Sequence, residues 1–496
     1  MMALRGLRLV NIRGIEGEMT MMQNAKMKAP SAKTGAKRTR RALLAGGLMV
    51  AALALLAPPA FAQPKTTVLV GGMLINGLSV PPLHNAAVVI QGDKIVEVGP
   101  AKEVKIPAGA TVIDTSGQTM MPGLIEAHGH LFLLGYGDEG DWFKWLASPA
   151  GKKYSIQYVM QLSAYQMLMS GITGVIDVGG TPKDSIAIRD KINKGEIPGP
   201  RLIVAGPLMT RTPYRGFPDE ASAVIHSPEE ATAAVDRLAA EGVDIIKAHA
   251  GLTREDYFAI VKAAHAHKMK VHAHVYDEEA IRNAFEAGVD VLQHVGSAGF
   301  PTYSPALVRA IAEAGRPIVL TAAHRSWIYP ETVDFPERLQ DPVLKSMFPK
   351  DMWDAVQESV KNWPDIGYFA QIDRQEKYRE PQVKQWIASG AVMGVGTDSG
   401  TPMNFNTDAL IREMKVLADE GVPMLEVISD TTRVNARIMG KPNTGTIQAG
   451  KLADIIVVSG NPLYSDLTDL AYVQDVVKNG VIYKRDGKPT VAMPKP

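Results

Sequence analysis

The 496-residue chain contains no cysteine, and that absence removes several chemistries at once. Disulfides, thiolate metal sites and a thiol nucleophile are excluded, so a bound metal must be held by histidine, carboxylate or a modified lysine. An excess of charge of either sign is also lacking, the formal net charge being +1. Ten cations and only two anions fall in the first 62 residues, which leaves 43 Lys and Arg against 50 Asp and Glu, or about −7, in the remainder. Nucleic acid is therefore not an expected partner. With 46% hydrophobic and 21% charged residues, the composition is that of a globular enzyme rather than a disordered or fibrous chain.

The basic leader reads as an address. Lys37, Arg38, Arg40 and Arg41 precede an apolar run from Ala42 to Leu56, followed by Pro58, Pro59 and Ala60-Phe61-Ala62. This order is that of a signal peptide with an A-x-A cleavage site before Gln63. The run is too short and too abruptly broken to favour a spanning helix. Thr39-Arg40-Arg41-Ala42-Leu43-Leu44 also resembles a twin-arginine export signal. Residues 1 to about 26 read as an upstream extension, with Met19, Met21, Met22 and Met27 as alternative starts. The expectation is an exported protein, periplasmic or secreted, with no stable membrane insertion after cleavage.

From Thr66 to Thr119 the pattern is short and β-like, and it returns near the carboxyl end in Ala453-Asp-Ile-Ile-Val-Val and Val476-Val-Lys-Asn-Gly-Val-Ile-Tyr. The expected organisation is a leader (1–62), a β-sandwich half (63–121), a barrel (122–441) and a second sandwich half (442–496). Between the halves, eight apolar strand candidates alternate with helical patterns: Ile125–His130, Gly174–Val178, Leu202–Ala205, Asp244–Lys247, Lys270–His274, Val289–His294, Ile318–Thr321 and Val392–Asp398. Eight such units predict an α/β fold, a (β/α)8 TIM barrel whose active site sits at the carboxyl ends of its strands. Two longer segments, Leu131–Tyr154 and His324–Gln382, are expected over the mouth.

Ligand-type residues stand at those ends. His128 and His130 share a strand face in Gly123-Leu-Ile-Glu-Ala-His-Gly-His. Lys247, His272, His294 and Asp398 end later apolar runs, and His274 follows His272 on the same face, where it competes for the ligand role. An ammonium cannot ligate a cation, so Lys247 would have to lose its proton to burial and take up carbon dioxide as a carbamate.

Pro122-Gly-Leu-Ile-Glu-Ala-His-Gly-His, with those later stations, resembles the metal-dependent amidohydrolase superfamily from about Thr66 to Tyr483. The likeness is nearest to the imidazolonepropionase-like proteins and binuclear Xaa-Pro dipeptidases. It implies two divalent ions, zinc foremost. His128, His130 and Asp398 would hold the buried ion, His272 and His294 the exposed one, and the Lys247 carbamate would bridge them. Asp398 would act as general base and acid. His274 would contact a small-molecule substrate; apart from the likeness, His324 and Arg325 follow the seventh strand, where a cation can receive the substrate's carboxylate. The implied reaction is hydrolysis of a carbon–nitrogen bond, non-peptide or dipeptide, in a dipeptide or N-acyl amino acid. The alternative is a mononuclear deaminase or cyclic amide or lactone hydrolase, and a third reading is a catalytically silent binding barrel. A homo-oligomer is compatible with all three.

Export is directly testable. Mass spectrometry of protein recovered from its native envelope should find Gln63 at or near the amino terminus. An intact leader on a soluble cytoplasmic protein would refute the assignment.

Overall fold

The computed structural model describes residues 65–296, 299–323, 332, 334–370 and 372–496. The leader with its cleavage motif lies outside the described residues, as do His324 and Arg325. At the centre, eight parallel strands alternate with helices: β1 (Leu124–Gly129), β2 (Ile172–Asp177), β3 (Arg201–Val204), β4 (Ile245–Ala248), β5 (Lys270–His274), β6 (Val291–Gln293), β7 (Ile318–Val319) and β8 (Met393–Gly394). Every residue of β1, β2 and β4 is buried, as a parallel sheet covered by helices requires. β1 to β3 form one ladder and β4 to β8 another. The third strand joins them, because past Val204 the chain resumes as Leu208–Thr210 and pairs with β4 (Leu208↔Lys247, Met209↔Ala248). At the other seam Gly129 bridges Ser399 in parallel, and the Ala127 N–H donates to Val395 O at 3.1 Å. These two seams close the (β/α)8 barrel that the eight sequence units predict.

Two smaller sheets complete the fold. One runs Lys94–Pro100, Ala86–Gln91, Thr66–Val70, Thr111–Asp114; the other unites amino-terminal Met73–Leu74 and Gln118–Pro122 with Ile455–Ser459, Val473–Lys478, Val481–Arg485 and Lys488–Pro489. They enclose a core that includes Leu69, Val88, Ile90, Met120, Ile455 and Val457. Strand alternation sends the intervening Ile456 and Val458 into the barrel's large core instead. One strand thus serves both cores.

Both long segments reach the mouth of the barrel, through Leu133 and Glu139 in the first and Tyr368 in the second. Glu139 opens the helix Glu139–Ala147, whose Asp138 cap accepts from the Asp141 N–H.

A buried amide fastens the β1–β8 seam. Asn435 Nδ2 donates to Ile125 O (2.6 Å) and Val395 O (2.7 Å), and its Oδ1 accepts from the Val395 N–H (3.0 Å). Removing it leaves buried backbone groups of both strands short of partners. Asn435→Ala should therefore cost roughly 2–4 kcal/mol in urea unfolding. A cost within about 0.5 kcal/mol, the range of an ordinary surface change, would show that the ladders alone hold the seam.

Candidate metal centre

The seam between β1 and β8 builds the site. Gly396 lets the two strands approach, since a Cβ there would lie 2.8 Å from both His128 N and His128 Cβ. The approach is held by Glu126, a buried carboxyl: its Oε1 accepts from the His128 N–H (2.8 Å) and the Thr397 N–H (3.0 Å), and its Oε2 from Thr397 Oγ1 (2.8 Å). Burial pushes Glu126 up to about 8 against these hydrogen bonds. On the other side of the motif, Asp177 accepts from the Leu131 N–H at 3.1 Å and fixes the chain just beyond His130.

The result is a convergence of donor atoms. His128 Nε2 and His130 Nε2 lie 3.3 and 3.0 Å from the same oxygen, Asp398 Oδ1. All three residues are buried, and their ligand atoms lie within 4.8 Å of one another. Burial first, and Lys247 second, hold the His128 imidazolium down to about 4, so the ring is neutral and its lone pair available at ordinary pH. Two imidazole nitrogens and one carboxylate oxygen fit a divalent ion such as zinc, with positions left for water or substrate.

Lys247 lies against this group with 1% exposure, its Nζ 3.4 Å from His128 Nε2. Among the described residues it makes no ion pair. Desolvation brings its pKa down to about 7, with Asp398 opposing, so a large share of the amine is neutral near pH 7.

The other histidines separate by layer. His272 pairs in register with Lys247 and is fully buried below the cavity, its Nδ1 3.1 Å from Gln293 Nε2. His274, two residues further and roughly 6–7 Å nearer the mouth, lines the cavity. Its ring centroid lies 4.4 Å from that of His294, which lies 4.3 Å from that of His128. His249 also reaches the cavity, 4.3 Å from His274. At the exits of three successive strands, His294 (φ 69°), Thr321 (φ 50°) and Asp398 (φ 63°) occupy the left-handed region. Such backbone is costly for side-chain-bearing residues and concentrates at functional sites.

The cavity, counting its open mouth, is about 400 Å³, and part of its wall is aromatic: Tyr214, Phe217, Tyr276 and Tyr368. Sequence reasoning missed this wall, together with Glu139, Glu126 and Gln293. Glu126 and Gln293 adjoin recognised histidines and could have been singled out by position, whereas nothing in the sequence marks Tyr214. The expected carboxylate anchors His324 and Arg325 lie outside the described residues. Among the described residues no helix is long and apolar enough to cross a membrane.

A model described as the amidohydrolase family matches residues 119–483. Among sequence relatives, a 5-methylthioadenosine/S-adenosylhomocysteine deaminase from Symbiobacterium thermophilum is 31% identical over 153 residues, 27% of this chain and 35% of that protein. The same enzyme from Halothermothrix orenii is 22% identical over 82% of this chain and 90% of its own length. Among solved structures, a candidate prolidase from Bifidobacterium longum is 25% identical, covers 87% of this chain and 97% of its own, and has a TM-score of 0.65. A phenylurea hydrolase B shares the fold at 21% identity, 87% and 100% coverage and a TM-score of 0.70.

These findings bear unequally on the expectations. Setting non-peptide bonds apart as a target class is corrected, because the structural neighbours include a candidate prolidase and a Xaa-Pro dipeptidase alongside a phenylurea hydrolase. Peptide-like and amide bonds therefore stand within the range of this fold. Of the two metal arrangements, the His128–His130–Asp398 group, the single such group among the described residues, and the deaminase relatives favour the one-ion alternative over the two-ion expectation. The family model covers well over half the chain, and a metal-binding donor set stands where a (β/α)8 barrel carries its chemistry; the chain belongs to the amidohydrolase family, whose members include metal-dependent hydrolases.

Proposed function

We propose that the protein hydrolyses a small substrate at a trigonal carbon, using water activated by one divalent ion held by His128, His130 and Asp398. The observation that carries this reading is the convergence of two buried imidazole nitrogens on one carboxylate oxygen at the base of a cavity. When bound, such an ion supplies a water of lowered pKa and polarises the substrate's trigonal carbon. Asp398, at the cavity floor, is placed to take the proton of that water and return it to the leaving group. Glu126 holds the backbone on which His128 is mounted, and Tyr214 and Phe217, 4.5 Å apart, give the substrate an apolar wall. The deaminase relatives support deamination; the opening of a cyclic amide or lactone is the same attack of water on a trigonal carbon.

A second reading is favoured by one specific observation, the buried Lys247, which among the described residues makes no ion pair and has its Nζ 3.4 Å from His128 Nε2. Carbon dioxide added to its neutral amine, with loss of a proton, gives a carbamate with two ligand oxygens. A second ion would then draw on His294 and a histidine of β5. His274 lines the cavity and His272 does not, which supports His274 over the expected His272. The substrate would be a dipeptide or N-acyl amino acid. Export with cleavage before Gln63 belongs to either reading.

Metal analysis of the purified mature chain separates the readings. One ion per chain, with Lys247→Ala retaining that ion and turnover on a cyclic amide, lactone or aminopurine nucleoside, is expected of the first. Two ions, loss of one in Lys247→Ala and partial rescue by a small added carboxylate on a dipeptide substrate are expected of the second. A metal-free protein inert after reconstitution would sink both.

Acid should release the ion late. Ligation needs neutral imidazole, and because burial lowers His128 to about 4, protons compete for that ring only as the pH falls towards that value. Dialysis at stepped pH should show the ion retained at pH 5 and lost near pH 4. A release midpoint near 6.5, the ordinary histidine value, would contradict the desolvated site.

A further inference from the structure

Gln293, the last residue of β6, is fully buried, and its side-chain amide lies between two histidines. Its Oε1 is 2.8 Å from His128 Nδ1, and its Nε2 is 3.1 Å from His272 Nδ1. A primary amide accepts at its oxygen and donates at its nitrogen. His128 Nδ1 must therefore carry a proton and donate, while His272 Nδ1 must be bare and accept. In neutral rings this puts a lone pair on His128 Nε2, the atom that faces Asp398 Oδ1 and Lys247 Nζ. It puts a proton on His272 Nε2, a buried atom with no hydrogen-bond partner among the described residues. The reverse amide orientation would protonate His128 Nε2 and remove that ring from the metal group.

We propose that Gln293 is a positioning residue that imposes opposite tautomers on two histidines, committing His128 to the metal and withholding His272 from it. The inference rests on the metal-site reading above. It adds to the difference in depth between the two histidines of β5: His274 lines the cavity, and His272, which does not, carries a proton rather than a lone pair on its Nε2. It also assigns a reason for an amide at this position. A carboxylate between the same nitrogens would accept from both rings, turn His272 to its Nδ1–H tautomer and free the Nε2 lone pair. Glutamine makes the two rings unequal, and glutamate would make them alike.

The test uses the mature chain with 15N-labelled histidine, metal-free and loaded with zinc, and reads tautomers from long-range 1H–15N correlations. Signals are assigned by the loss of one set in His272→Gln. In the native protein His128 should show Nδ1–H and His272 Nε2–H. Gln293→Glu should switch His272 to Nδ1–H and leave His128 unchanged, with zinc affinity near the native value. Gln293→Leu should weaken zinc binding roughly ten- to a hundred-fold in a chelator competition, the usual effect of losing a group that orients a ligand. Native His272 already in the Nδ1–H form, or Gln293→Leu binding zinc as tightly as the native chain, would overturn the proposal. Should Gln293→Leu fail to fold, the tautomer switch in Gln293→Glu decides, and its absence counts against the idea. If the native chain binds no zinc, the metal reading fails separately, and the metal-free tautomers still judge Gln293.

Discussion

The contact on which the rest of the site depends is the hydrogen-bonded seam between β1 and the run that follows β8. Through Glu126, the His128 N–H and both donors of Thr397 share one buried carboxyl, while the Asp398 N–H donates to His128 O at 2.8 Å. Residues 270 positions apart are thereby held in one geometry. Barrel closure and assembly of the metal group are consequently the same physical event. A carboxyl kept in so dry a place is costly, and the three donors that converge on it are the compensation that makes its burial tolerable.

Burial does most of the electrostatic work around this seam. His128, His249, His272, His274 and His294 are all held below the ordinary histidine pKa, with desolvation the leading cause in each. Lys247 is pushed towards its neutral amine by the same cause. The site is thus a nest of nitrogen bases held towards their uncharged forms, with the carboxyl groups of Asp398 and Glu139 lining the same cavity. Such a region has little reason to attract solvent protons and every reason to take up a multivalent cation.

Much of this was legible in the chain of letters, and the limit of legibility has a physical form. His128, His130 and Asp398 could be read because strand periodicity and the carboxyl-end rule of parallel barrels fix where such residues must go. The composite sandwich was readable from short β-like runs at both ends. What could not be read was depth. His272 and His274 share a strand face, and only the register with Lys247 and the place of the cavity tells them apart. Side-chain partnerships across the barrel, such as Gln293 with His128 over 165 positions, leave no local signature. The left-handed backbone at His294 and Asp398 is equally silent, since neither residue type announces it.

The strand Ile455–Ser459, whose alternate side chains enter two different cores, has a consequence for how the chain comes into being. The barrel core includes Ile456 and Val458, so it lacks part of its packing until the carboxyl-terminal residues have been synthesised. A nascent chain therefore holds an incomplete hydrophobic interior through most of its elongation, and chaperone protection would matter most in that interval. The same sharing means that the two cores should melt together, and that clipping the last strands would expose the barrel rather than merely trim an appendage.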